Sequence, residues 1–222
     1  MMTDLNAVFF DFDGVVLDSV NVKTEAFGDM FAEHGESVRQ AVVEYHLNNG
    51  GVSRFEKFRY FYETLLGLPM DEACMARLCD QFSDLTLHKV LEAPFIEGAL
   101  DTLQFLKDSG IPAFVASGTP QDELERIVQG RELTHYFSEV HGSPRTKAEI
   151  AHEVAKSHGL RLDRCLFIGD AMTDYEAAGK CGMAFLGVRD NDHSPFPEGT
   201  VTTTILSRSA LEEAWLGGRR NS

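Results

Sequence analysis

The chain has 222 residues, 43% of them hydrophobic, which is enough to bury a sizeable core without disulfides or structural metals. Its formal net charge of -15 at pH 7 argues against a nucleic-acid or anionic-membrane surface, since such partners require clustered lysines and arginines. The four cysteines lack zinc-ligand spacing and are interpreted as reduced thiols.

The first predicted element is a buried strand at residues 7–10, which runs directly into Asp11. A continuous apolar run of this length is typical of a central strand in a parallel sheet that is covered on both faces. The run is too short for the core of a signal peptide or for a membrane span. We therefore expect a cytoplasmic protein.

Residues 18–94 show apolar side chains at helical spacing and no strand-like run. This pattern predicts an all-helical insertion after the first strand. Asp18 and Ser19 are expected to cap its first helix, and Asp71 a later one, because short polar side chains accept hydrogen bonds from free N–H groups at helix starts.

Three further apolar runs are predicted strands, at residues 112–116, 165–168 and 184–188, and helical patterns separate them. Alternating strands and helices predict an α/β fold with a doubly wound, Rossmann-like parallel sheet. The predicted catalytic core spans residues 1–17 and 95–222, and the helical cap spans residues 18–94. Ligands of such sheets bind beyond the carboxyl ends of the strands.

Polar motifs follow these strands or begin a helix. They are Asp11-Phe12-Asp13-Gly14, Ser117-Gly118-Thr119, Lys147, and Gly169-Asp170 with Asp174 four residues later. Taken singly, the strand-end motifs are also compatible with ordinary turns or helix caps, and Lys147 with a solvated surface lysine. Functionally, one carboxylate of the first motif would attack phosphorus and the other would transfer protons. The hydroxyl and glycine motif would contact phosphate oxygens, and Lys147 would neutralise charge.

The order and spacing of these motifs resemble the haloacid dehalogenase superfamily, in particular its helical-cap phosphatases and phosphomutases. The resemblance implies Mg²⁺ as cofactor, with side-chain ligands from Asp11 and Asp170 and a backbone carbonyl from Asp13. It implies Asp174 as a supporting acid of the metal site. It also implies an aspartyl-phosphate on Asp11, while the acid at position 13 indicates phosphoester chemistry.

The resemblance leaves hydrolysis and phosphomutation open. Residues 51–54 are similar to the cap loop of the β-phosphoglucomutases, whose arginine holds a second phosphate, so Arg54 is a candidate substrate contact. Lys23, another candidate contact, stands where those mutases have histidine, and Gly169 stands where they have glutamate. Both departures favour a phosphatase.

The expected substrate is a small phosphate ester, such as a sugar phosphate or a phosphoglycolate-like acid, and the expected state is a monomer or weak homodimer. Taken by itself, Arg54 is also compatible with a solvated arginine at the start of a helix, because Lys57 and Arg59 nearby are predicted on an exposed face. A phospho-accepting receiver domain is the alternative from another class. Receiver domains have no helical cap, and the large insertion disfavours that alternative.

Overall fold

The computed structural model of the protein describes residues 2, 4–189 and 194–218. Within these ranges, six strands form one sheet in the order β3-β2-β1-β4-β5-β6, and every neighbouring pair is parallel. The strands are β1 (Ala7–Phe10), β2 (Ala113–Pro120), β3 (Glu139–Ser143), β4 (Cys165–Gly169), β5 (Ala184–Val188) and β6 (Thr202–Thr203). The predicted doubly wound α/β fold is confirmed.

Two strands at the sheet margins were not predicted, and both lack a continuous apolar run. β3 contains Glu139 and His141 and is only half-buried over its first three residues, while β6 has two residues. Marginal strands pack one neighbour each, so their sequences need less apolar surface. The other four strands lie at the positions predicted for them, and β2 extends further, to Pro120.

Four helices lie between β1 and the next core helix: α1 (Val20–Met30), α2 (Glu36–Asn48), α3 (Arg54–Tyr60) and α4 (Glu72–Glu92). A 3₁₀ turn at Ala32–His34 and a π turn at Phe61–Leu66 supplement them. We call residues 20–92 the helical region. It packs around its own cluster of aromatic side chains, namely Phe27, Phe31, Phe58, Phe61 and Phe82. The limits of a separate domain at residues 18 and 94 stay a prediction.

The remaining helices cover the sheet on both faces. They are α5 (Ala99–Asp108), α6 (Gln121–Gly130), α7 (Lys147–His158), α8 (Met172–Cys181) and α9 (Arg208–Gly218). Val8 and Phe10 of β1 pack into a cluster with α5, α6 and α9, whereas Ala7 and Phe9 pack with α7 and α8. Because successive strand residues point to opposite faces, a fully apolar β1 buries both of its sides.

One of the predicted helix caps is confirmed and another is wrong. Asp71 accepts a hydrogen bond from the Cys74 N–H at 2.7 Å, as a cap should. Ser19 precedes α1, but its side chain makes no capping bond there and instead donates to Asp13 at 2.5 Å. The Ser19 backbone is helical, with φ -115° and ψ 0°, and lacks the extended conformation in which a capping side chain meets the free N–H groups of the helix start. No helix in the described part of the chain is long and apolar enough to cross a membrane.

Candidate active site

The three central strands bring the sequence-predicted polar residues to one edge of the sheet. Asp11 follows β1, Ser117 lies near the end of β2, and Asp170 follows β4. A cavity of about 510 Å³ opens at this edge. Core residues line one part of it and the helical region lines the rest, including Lys23, Arg54, Lys57 and residues 46–52.

Asp11 is buried, and both of its carboxylate oxygens accept hydrogen bonds. Oδ1 accepts from the Phe12 N–H at 2.7 Å, and Oδ2 accepts from Lys147 Nζ at 2.8 Å. The Asp11 N–H donates to the Ile168 carbonyl at 2.9 Å, which continues the pairing of β1 with β4. The carboxylate is therefore held in one orientation at the floor of the cavity.

Lys147 is the first residue of α7, whose start is set by a capping box between Thr146 and Glu149. Its ammonium group donates to Asp11 and also to Asp174 Oδ1, the latter at 2.5 Å. Burial opposes the charge of Lys147, but these two carboxylates outweigh burial and raise its pKa above the ordinary value. Lys147 is thus a permanently charged cation beside Asp11.

Asp11, Asp170 and Asp174 form a cluster in which one oxygen of each lies within 4.8 Å of the others. Burial, followed by the charges of Asp11 and Asp174, raises the pKa of Asp170 well above its ordinary value. Burial likewise raises the pKa of Asp174 to about 7, although Lys147 opposes the shift. Three carboxyl groups thus crowd around one lysine, so that protons are favoured on Asp170 and Asp174, and a cation could take the place of those protons. Hard oxygen donors of this kind fit a divalent cation such as Mg²⁺.

Asp13 turns its side chain away from this cluster, towards the helical region. Its Oδ1 accepts from Ser19, and its Oδ2 accepts from Lys23 Nζ at 2.5 Å and from Thr119 Oγ1 at 2.8 Å. Burial by itself raises the pKa of Asp13, but the lysine charge and the three hydrogen bonds outweigh it and lower the pKa to about 2. In this arrangement Asp13 is an anion paired with Lys23.

The motif at the end of β2 lines the same cavity. Ser117 and Thr119 are buried, and the Ser117 hydroxyl accepts from the Thr119 N–H at 3.1 Å. Thr119 also accepts from Lys23 Nζ at 2.8 Å, so it joins Lys23 to Asp13. Gly118 lies against the helical region, because a Cβ there would stand 2.8 Å from the Gly51 carbonyl oxygen.

The loop between α2 and α3 closes directly over the site. Gly51 has a φ of +72°, and a Cβ there would run into Thr173 Oγ1 and lie 2.9 Å from Lys147 Nζ. Thr173 in turn donates to the Gly50 carbonyl at 3.0 Å. Glycine is required at position 51 both for its backbone conformation and for this close approach.

Arg54 lines the cavity, but both ends of its guanidinium group bind Glu123 of α6. NH1 donates to Oε2 at 2.8 Å and NH2 to Oε1 at 2.5 Å, and NH1 also donates to Ser83. Arg54 and Glu123 are buried, and the guanidinium stacks 4.6 Å above the Phe82 ring centroid. The pair links the helical region to the core. A substrate contact by Arg54 stays a prediction.

Lys57 is not on an exposed face, and that expectation was wrong. The side chain is 2% exposed, and Nζ lies 2.8 Å from His46 Nδ1, while Arg59 is exposed as predicted. Burial, reinforced by the charges of Lys23 and Lys147, lowers the pKa of Lys57 to about 7. Burial, with Lys57 as the next cause, lowers the pKa of His46 to about 3.

Glu123, Lys57 and Ser19 contact site residues but were not singled out as such from the sequence. A signal for Lys57 was present, because positions 54, 57 and 61 share one face of a helix and Phe61 is apolar. Glu123 carries no comparable signal. An acid in the first turn of a helix is common, and its pairing with Arg54 depends on the packing of distant elements.

Comparisons with known proteins identify the family and the fold. A model of the haloacid dehalogenase-like hydrolase family matches residues 5–182. The phosphoglycolate phosphatase of Aliivibrio fischeri is 26% identical over 191 residues, which are 82% of this chain and 83% of the relative. The 6-phosphogluconate phosphatase of Escherichia coli is 24% identical over 225 residues, or 96% of each chain. The β-phosphoglucomutase of Clostridium difficile has the same fold, with a TM-score of 0.76, 17% identity, and coverage of 96% of this chain and 97% of that one.

Proposed function

The chain belongs to the haloacid dehalogenase-like hydrolases, and we propose that it is a Mg²⁺-dependent phosphatase that forms an aspartyl-phosphate on Asp11. The observation that carries this proposal is the environment of Asp11. Its carboxylate lies at the floor of the cavity, bonded to a charged lysine and beside two further carboxylates. A nucleophile, a fixed cation and a set of metal ligands thus lie together.

Asp11 and Asp170 would hold Mg²⁺ through their side chains, with the Asp13 backbone carbonyl as a further ligand and Asp174 in support. Bound Mg²⁺ supplies positive charge to the phosphoryl oxygens and to the carboxylates around them. The donor set fits this ion, since it consists of hard oxygens from three carboxyl groups that lie within 4.8 Å of one another.

In the proposed reaction an Asp11 oxygen attacks phosphorus while the ester P–O bond breaks. Lys147 remains charged and offsets the repulsion between two anions. The leaving alkoxide takes a proton through Asp13, which afterwards accepts a proton from the water that hydrolyses the aspartyl-phosphate. Asp13 is an anion in the present arrangement, so the Lys23 ammonium bonded to it at 2.5 Å would supply the proton that passes through Asp13 to the alkoxide. Ser117, Gly118 and Thr119 line the cavity where the phosphoryl oxygens would lie.

Hydrolysis is preferred to phosphomutation on one structural ground in addition to the sequence. A side chain at Gly169 would collide with the Cβ and Cγ atoms of Asp174. The glutamate that the β-phosphoglucomutases carry at this position therefore has no room here. Lys23 likewise occupies the place of their histidine and is bound to Asp13 and Thr119.

The substrate class follows from the size of the site. A cavity of about 510 Å³ under a closing loop suits a small phosphorylated metabolite, such as a sugar phosphate or a phosphoglycolate-like acid. Relatives named phosphoglycolate phosphatase and 6-phosphogluconate phosphatase support this choice.

The test is phosphate release from a panel of phosphorylated metabolites and p-nitrophenyl phosphate, with Mg²⁺ and with excess chelator. We expect turnover that requires the metal and is lost in Asp11→Asn. Asp101→Asn, an exposed aspartate of α5, is the matched control and should behave as wild type. Full activity in chelator, or in Asp11→Asn, would refute the proposed mechanism.

A further inference from the structure

Lys57 differs from the other basic side chains that line the cavity, because its charge has no acidic partner. Lys23 is paired with Asp13, and Arg54 is paired with Glu123. Among residues 2, 4–189 and 194–218, no carboxylate forms an ion pair with Lys57. Its polar contact is the ring of His46.

The His46 contact leaves most of the ammonium group unsatisfied. Because His46 stays neutral when buried, its Nδ1 accepts a single hydrogen bond from Lys57, at 2.8 Å. A lysine ammonium carries three N–H donors, so two remain available. The Phe27 ring centroid lies 5.8 Å from Nζ, and Asp170 and Asp13 act on the charge electrostatically without forming an ion pair with it.

A buried charge without a counter-ion is unfavourable, and the protein lowers this cost by favouring the neutral amine. This agrees with a Lys57 pKa lowered chiefly by burial. An anion bound in the cavity would favour the charged ammonium of Lys57, since it would form a charge-assisted hydrogen bond with a buried group. A buried lysine that lines the cavity in this way suits the binding of an anion.

We propose that Lys57, oriented by His46, binds a second anionic group on the leaving-group side of the substrate. This inference rests on the proposed phosphatase function and narrows its substrate class to phosphate monoesters that carry another carboxylate or phosphate. The phosphate that is cleaved has its own cations at Asp11, namely Lys147 and the proposed Mg²⁺. Lys57 belongs to the helical region, so it meets the part of the substrate that is not transferred.

The role belongs to Lys57 rather than Arg54 because of what each already binds. The guanidinium of Arg54 makes a bidentate ion pair with Glu123 and a further bond to Ser83, so a ligand anion would have to compete with a buried carboxylate. Lys57 offers free donors in the same cavity without such competition.

The experiment compares substrates that differ only in the second anion. One pair is 2-phosphoglycolate and 2-hydroxyethyl phosphate, and another is 6-phosphogluconate and sorbitol 6-phosphate. A third pair, glucose 1,6-bisphosphate and glucose 6-phosphate, distinguishes a phosphate ligand from a carboxylate. The kcat/KM ratio within each pair is measured for wild type, Lys57→Met and Lys57→Gln.

We expect wild type to favour the doubly anionic member of at least one pair. Both Lys57 variants should reduce that preference by roughly 30-fold or more, the loss typical of removing one partner of a buried charge pair. Lys89→Met removes an exposed lysine of the same helical region and should leave the ratios unchanged.

An equal loss on both members of each pair would overturn the inference, because it would assign Lys57 to folding or to the transferred phosphate. So would a wild-type enzyme that hydrolyses p-nitrophenyl phosphate but shows no preference in any pair. The proposed function would survive either result. Absence of turnover on every ester, p-nitrophenyl phosphate included, would instead overturn the proposed function and this inference with it.

Discussion

The Arg54–Glu123 pair is a buried ionic link between the helical region and the core, and its removal should destabilise the protein strongly. In Arg54→Met, Glu123 would keep the Ser83 hydroxyl, 2.5 Å from Oε2, but lose both charge-assisted bonds from the guanidinium. Arg54 holds the pKa of Glu123 below its ordinary value against the opposing effect of burial. Without Arg54, burial dominates and the carboxylate is driven towards its neutral form.

The magnitude follows from the burial of both partners, since the side chains are 4% and 7% exposed. Breaking a buried pair by removing one partner costs about 3 to 5 kcal/mol. Protonation of Glu123 limits that cost, so we expect a value near the lower end, about 3 kcal/mol at pH 7. The double variant Arg54→Met/Glu123→Met should lose less unfolding free energy than the two single variants lose in total, because no unpaired charge remains in it.

The assay is urea unfolding of wild type, both single variants and the double variant, combined in a double-mutant cycle. Arg59→Met, an exposed arginine of the same helix, is the control and should change stability little. A loss below about 1 kcal/mol in Arg54→Met, or single losses that add in the double variant, would refute the reasoning. In kinetics, Arg54→Met should reduce kcat/KM equally for singly and doubly anionic esters, and a selective loss would instead favour the predicted substrate contact.

Three further predictions concern single side chains. Asp11→Asn should abolish phosphate release while circular dichroism stays native, and more than marginal activity in pure enzyme would contradict the nucleophile assignment. Lys147→Met should lower kcat. The variant should also bind Mg²⁺ more tightly in titration calorimetry, because it removes a cation that competes for Asp11 and Asp174. Weaker Mg²⁺ binding would count against the metal site. Between pH 6.5 and 4.5, the free energy of unfolding of the wild type should fall by about 2 to 3 kcal/mol more than that of His46→Gln. The reason is that the unfolded histidine takes up a proton in this range, whereas the buried histidine, with a pKa of about 3, does not. Parallel pH profiles of unfolding free energy would contradict that last prediction.

Much of the fold could be predicted because the central strands are buried on both faces. β1 and β4 are runs of apolar residues that end in aspartates or glycine, and such runs have few other uses in a chain of this composition. β3 was missed because the sequence Glu-Val-His-Gly-Ser has no period that separates it from a loop. Its place in the sheet comes from pairing with β2, which is a long-range contact.

The candidate site likewise has a part that the sequence predicts and a part that it does not. The proximity of Asp11, Asp13, Ser117 and Asp170 could be predicted from the sequence, because strand ends of one sheet edge must converge. Lys147 begins a helix, and its place beside them was expected from the family resemblance. The side-chain pairing within the helical region could not, since it depends on how separate helices meet.

Lys57 illustrates this limit. Charged residues are mostly exposed, so an exposed face was the natural expectation. Its actual burial results from the packing of α3 against His46 of α2 and Phe27 of α1. Ser19 shows a similar effect, because its helical backbone conformation keeps the hydroxyl from capping α1 and the hydroxyl instead donates to Asp13.

The central claim is that Asp11 carries the phosphoryl group during turnover, and acid-quenched mass spectrometry tests it most directly. Enzyme mixed with Mg²⁺ and excess of its best phosphate ester is quenched in acid within the first turnovers, digested, and searched for phosphorylated peptides. The account predicts that the peptide containing Asp11 gains the mass of one phosphoryl group in wild type and not in Asp11→Asn. Phosphate release without any phosphorylated Asp11 peptide, or a phosphoryl group on another residue, would contradict it.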